Sequence, residues 1–170
     1  MEEGAEYVRG SILKRMVAAI RRDWSGERLD GHAWCSLVGR PADAPEVQRL
    51  LEQLRSLSTY QTIGNGETYF FHQVGVRVDI EDGILGRIEF DNCRQEHPPV
   101  RPFPGKLPQH LQFGQNHQTV RDLLGRSVEQ FDPGFNPTEW FELPGEQYRL
   151  AVTYSKPAWT MLSVRAEAIR

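Results

Sequence analysis

Val76, Val78 and Ile80 alternate with Arg77, Asp79 and Glu81, and Asp82-Gly83 interrupts the pattern just before Ile84 to Phe90 resumes it. A period of two sends successive side chains to opposite faces, so this run reads as a half-buried strand. The Asp-Gly pair signals a two-residue hairpin turn, because both turn positions need φ above zero. Thr68 to His72, with Tyr69-Phe70-Phe71 at its centre, adds an aromatic strand ahead of Gly75. A three-stranded antiparallel meander is therefore expected from Thr68 to Phe90. It would leave one apolar face that another layer must cover.

Helical spacing supplies candidates for that layer. Val47, Leu50, Leu51, Leu54 and Leu57 recur at three- and four-residue intervals, which predicts a helix from Pro45 to Leu57. Proline suits its first turn, and Glu46 places a negative charge at the positive end of the helix dipole. Val8, Ile12, Leu13, Met16, Ala19 and Ile20 predict an N-terminal amphipathic helix over Ala5 to Asp23, flanked by Arg9, Lys14, Arg15, Arg21 and Arg22. Acids at Glu2, Glu3, Glu6, Asp23 and Glu27 dilute that basic side, so a core-facing helix is expected rather than a membrane-binding one.

Prolines 98, 99, 102, 104 and 108 exclude helix and central strand between His97 and Pro108, leaving an extended connector in which Phe103 packs. Beyond it, Asn116 to Leu124 reads as a short helix ending at Gly125. Three strands are expected at Glu139–Leu143, Tyr148–Tyr154 and Trp159–Ala168, separated by Pro144-Gly145 and Lys156-Pro157. The division that follows is an N-terminal helix and loop over 1–31, a first α+β repeat over 32–96, a Pro-rich linker over 97–110 and a second α+β repeat over 111–170.

The repeat rests on Leu37-Val38-Gly39-Arg40-Pro41 paralleling Leu123-Leu124-Gly125-Arg126-Ser127, each followed by an aromatic strand (Tyr69-Phe70-Phe71; Trp140-Phe141) and an alternating one. Val120-Arg121-Asp122-Leu123-Leu124-Gly125, then Trp140-Phe141 and Tyr148-Arg149-Leu150-Ala151-Val152, resemble the tandem SmpA/BamE/BLIP-like repeat. That resemblance implies helices packed on small antiparallel sheets and a role in binding other proteins. In size and style the chain also resembles the small acidic immunity proteins encoded beside bacterial toxins. The fold class expected is thus α+β: two helix-plus-antiparallel-meander repeats joined by a Pro-rich linker, after an N-terminal amphipathic helix.

Composition bounds the function. The chain has 170 residues and a net charge of −3, with enough apolar material for a packed core. No apolar run is long enough to span a bilayer, and the acidic first residues do not suit a signal peptide, so a cytoplasmic protein is expected. The mild acidity argues against nucleic acid as a partner. Cys35 and Cys93 lack any CxxC spacing and are expected to be reduced.

Candidate chemistry is sparse. There is no GxSxG, and Cys35 beside His32 and Trp34 reads as a structural cysteine. His97, His110 and His117, with Cys93, lack the paired spacing of a zinc site, so neither metal nor cofactor is expected. Gly64-Asn65-Gly66 lacks the lysine of a phosphate loop. Charge distribution says more: residues 67–96 carry a net −4 and residues 129–146 a net −5, the latter interleaved with Phe131, Phe135, Trp140 and Phe141. Aromatic anchors within an acidic rim suit a basic protein partner. The expectation is a non-enzymatic protein-binding module, most specifically an immunity protein that occludes a toxin's functional surface. It would bind through Asp132, Phe135, Glu139, Trp140 and Glu142, with Asp79, Glu81 and Asp82 as a second patch. The alternative is an enzyme or small-ligand domain using a cleft between the repeats, where Tyr69, His72 and Asp79 would converge.

Overall fold

The computed structural model describes residues 29–63, 68–92 and 100–169. The chain order is α1 (Gly31–Cys35), α2 (Pro45–Leu57), β1 (Tyr60–Ile63), β2 (Thr68–Phe71), β3 (Val76–Glu81), β4 (Ile84–Asp91), a 3-10 turn (Pro108–His110), α3 (His117–Leu124), β5 (Glu129–Phe131), β6 (Thr138–Glu142), β7 (Tyr148–Ser155) and β8 (Thr160–Ala168). The helix expected over Ala5 to Asp23 lies outside the described residues.

All eight strands form one antiparallel sheet in the order β1-β2-β3-β4-β8-β7-β6-β5. This overturns the expected pair of helix-plus-meander repeats. The two strand runs do not close separately: β4 and β8 pair through Arg87↔Glu167 to Asp91↔Ser163. Two separate meanders would each leave the backbone of a long inner strand without partners, and joining β4 to β8 satisfies both at once. Residues 100–107 are likewise no free linker. Phe103 is buried between Trp34 and Phe90, at ring separations of 5.6 and 4.7 Å, and the Phe103 N–H donates to the Asp91 carbonyl at 2.9 Å.

Local chemistry explains most of the elements. Asp30 caps α1 by accepting from the His32 and Ala33 N–H groups at 3.0 and 3.3 Å. Pro45 opens α2, whose buried face is Val47, Leu50, Leu51 and Leu54. Asn116 caps α3 by accepting from the Thr119 N–H at 2.9 Å. At the β3–β4 turn Asp82 and Gly83 take φ values of 52° and 74°, the left-handed pair the hairpin needs.

One face of the sheet carries the core: Phe71, Val76, Val78, Ile88, Phe90, Phe141, Leu150, Val152 and Val164 form a single cluster with α2 and with Trp34 and Cys35 of α1. Burial, with smaller contributions from Glu146 and Asp30, pushes the Cys35 thiol far above its ordinary range. Burial does the same to the phenols of Tyr148 and Tyr154. The native state keeps protons that the unfolded chain releases, so stability is expected to fall as pH rises past the ordinary thiol pKa of about 8.5. A Cys93→Ser variant should accordingly show no thiol reaction with a disulfide reagent until it is unfolded. Stoichiometric reaction of the native variant would contradict this placement of Cys35.

The opposite face carries a ladder of charges. Asp79 accepts from Arg77 Nε at 3.0 Å and sits 3.1 Å from Arg87 Nη1. Glu167 accepts from Trp140 Nε1 at 2.6 Å and Arg149 Nε at 2.9 Å. Arg149 reaches on to Glu129 at 3.2 Å. These pairs follow from register, since Asp79 faces Arg87, Arg87 faces Glu167, and Glu167 faces Arg149 across neighbouring strands.

Candidate functional site

The β3–β4 turn, the end of β6 and the end of β8 all lie at one end of the sheet. There an open cleft of about 840 Å³ is lined by Glu81, Asp82, Ile84, Glu142, Arg149 and Glu167 among others, with Ile169 at its margin. Asp82 and Glu142 are sixty positions apart in the chain. Antiparallel order explains their meeting: β3 ends and β4 begins where β6 and β8 end and β7 begins.

The charges of this cleft are unequal in kind. Arg149 is held by Glu167 and Glu129, and Arg87, also on the lining, is held by Asp79. Asp82 and Glu142 are exposed and form no ion pair among the described residues. Two exposed isoleucines, Ile84 and Ile169, stand beside them. The cleft thus offers uncompensated negative charge next to apolar surface, which suits a cationic group carried on a partner surface. Among the described residues no cluster of His, Cys, Asp and Glu could hold a metal ion.

The eight residues singled out from the sequence separate into four environments. Glu81, Asp82 and Glu142 share the acidic cleft. Asp132 and Phe135 lie at the other end of β6, where Lys156 Nζ bonds both Asp132 oxygens at 2.9 and 2.6 Å. The Lys156 hydrogen bond, with help from the Gly134 N–H, holds the Asp132 carboxyl below the usual carboxylate range. Asp79 is buried between two arginines, and Trp140 is half-buried with its indole N–H spent on Glu167. Neither of these two is presented to a partner as an open group.

Glu139 is fully buried, which corrects its assignment to a binding face. Strand alternation places Glu139 with Phe141 on the core side and Trp140 on the other. Arg121 descends from α3 to meet it: Nε donates to Oε1 at 3.1 Å, and Nη2 bonds the same oxygen. Tyr154 Oη donates to Oε2 at 3.2 Å. The hydrogen bond to Glu139 raises the Arg121 pKa above its ordinary value. This triad clamps α3 onto β6 and β7.

The residues of the enzymatic alternative do not converge. Tyr69 pairs with Val78 on the core face, whereas Asp79 pairs with Thr68 and points the opposite way. His72 stacks on Phe70 at 4.4 Å. Ile84, Ile169 and the Arg149–Glu167 pair escaped the sequence reading. The available signal was an isoleucine directly after Asp82-Gly83, a turn-flanking position where a core residue is not required.

No protein-family model matches the chain, and no curated protein or solved structure matches it either.

Proposed function

We propose that this chain is a non-enzymatic protein-binding module that recognises a basic protein through the acidic cleft of Asp82, Glu142 and Glu81. In its sharper form the proposal is an immunity protein that covers the functional surface of a cationic toxin. The observation that supports it is the convergence of Asp82 and Glu142 from two distant acidic stretches onto one cleft, beside exposed Ile84 and Ile169. Acidic groups of this kind raise the rate of encounter with a basic partner, and the isoleucines supply dehydrated contact once it has docked.

The test is capture from the native host followed by binding kinetics. A basic protein should be retained at low salt, and the Asp82→Lys/Glu142→Lys variant should associate with it at least about tenfold more slowly. That difference should shrink in about 0.5 M salt, where exposed charges are screened. The variant's surface positions leave the core intact, so its melting temperature should be nearly unchanged. Retained wild-type kinetics, or a captured partner that is acidic, would remove the cleft from the proposal. For the immunity form, co-expression should relieve growth arrest by the toxin, and the charge-reversed variant should do so less well.

A further inference from the structure

A different surface has its own composition. β5 is an outermost strand of the sheet, and all three of its residues are exposed. Around it stand Leu123, Val128, Phe131 and Phe135, which are 47, 55, 59 and 67% exposed. Four large apolar side chains gathered at one strand edge mark an interaction surface more strongly than scattered ones would. The edge also lacks the usual protection: no lysine and no proline occurs from Ser127 to Asp132.

The opposite edge of the sheet is managed differently. Tyr60 of β1 packs on the rings of Tyr69 and Phe71 at 5.7 and 5.6 Å, and the Arg55 guanidinium lies over it at 5.6 Å. Phe131 and Phe135 have no ring partner among the described residues. Nor does α3 cover β5, since an open cleft of about 680 Å³ separates them.

We propose that β5 is the pairing edge of a two-fold dimer, in which the strands of two copies run antiparallel and join the sheets. Charge selects a second copy as the occupant. Arg126, on the upstream side of the strand, forms no ion pair among the described residues, and Asp132 lies on the downstream side. A two-fold axis through the strand reverses its direction in the second copy, as closed symmetry requires. Each Arg126 then comes to the Asp132 end of the other copy, and the pairing is made twice. The same axis brings Val128 and Phe131 of both copies into one apolar strip. This surface is independent of the acidic cleft, because Asp82 lies on β3–β4, on the far side of β8, β7 and β6 from β5.

The test is the mass of the full chain in solution, from about 5 to 200 µM by sedimentation or light scattering. Twice the monomer mass is expected, with Phe131→Asp shifting the midpoint of dissociation upward by at least about tenfold in concentration. Arg126→Asp alone and Asp132→Arg alone should each weaken the dimer, and the double exchange Arg126→Asp/Asp132→Arg should restore it. Circular dichroism and melting temperature establish that each variant is folded. A folded Ser127→Lys variant gives an independent test, since a lysine at the edge opposes strand addition. A monomer across the whole range overturns the proposal, including the outcome in which the edge takes a strand of another protein. A dimer indifferent to both Phe131→Asp and Ser127→Lys overturns it too, as does a double exchange that fails to restore association.

Discussion

Arg121→Ala is expected to cost the fold about 3 kcal/mol, read as a lowered midpoint of denaturant unfolding at neutral pH. Glu139 is fully buried, and Arg121 is the cation that hydrogen-bonds it. Removing the arginine leaves a carboxylate on the core side of the sheet with the Tyr154 hydroxyl as its remaining side-chain donor. Breaking a buried pair in this way costs about 3–5 kcal/mol, because an uncompensated charge stays in a medium that solvates it poorly. The lower end applies because 36% of the Arg121 side chain is exposed, so water can enter where the guanidinium was. Adding Glu139→Leu should recover most of the loss, since no charge is then left behind. A double variant as unstable as Arg121→Ala would show that the arginine acts through packing of α3 rather than through the carboxylate.

The second large effect is expected at Gly75, where alanine should cost roughly 2–6 kcal/mol. Gly75 has a φ of 58°, a conformation in which a Cβ is already strained. A Cβ there would also overlap the Arg101 carbonyl oxygen and lie 2.9 Å from the Phe103 nitrogen. Those are backbone atoms of the segment that crosses this end of the sheet, so no rotamer change relieves the clash. The segment would have to lift, loosening Phe103 from Trp34 and Phe90 and breaking the bond from the Phe103 N–H to Asp91. Gly39→Ala is the control: its φ is 90° but a Cβ there meets nothing within 4 Å, so it should show the conformational cost alone. Equal losses at the two positions would mean that the close approach at Gly75 contributes nothing.

Legibility followed the range of the physical signal. Helix α2 spans Pro45–Leu57 as its leucine spacing and leading proline indicate, and β3 ends at the Asp82-Gly83 turn that its alternation announces. β1 and β5 were not legible. Tyr60-Gln-Thr-Ile and Glu129-Gln-Phe are edge segments whose side chains are largely exposed, so no alternation of burial is imposed on them. At the candidate site, Asp82 and Glu142 were each singled out, but their meeting was not visible in either stretch. Glu139 misled because it sits between acidic and aromatic neighbours that suggest a surface. Its fate depended on which face of β6 turned inward, and a nearby cation on another element made an inward carboxylate tolerable.

The sequence by itself determined the local elements: where helices begin, where hairpins turn, and which side chains share a strand face. Those are decided by φ preferences, caps and periodicity, all of which act within a few residues. The tertiary structure alone decided that β4 and β8 pair across more than seventy residues, making one sheet of what local pattern divides into two units. That pairing is enforced by backbone hydrogen bonding and by the shared apolar face. Backbone groups are the same in every residue, so their long-range partner is not written in either strand. The single sheet in turn set which charges were buried, which met in a cleft, and which strand was left at the edge.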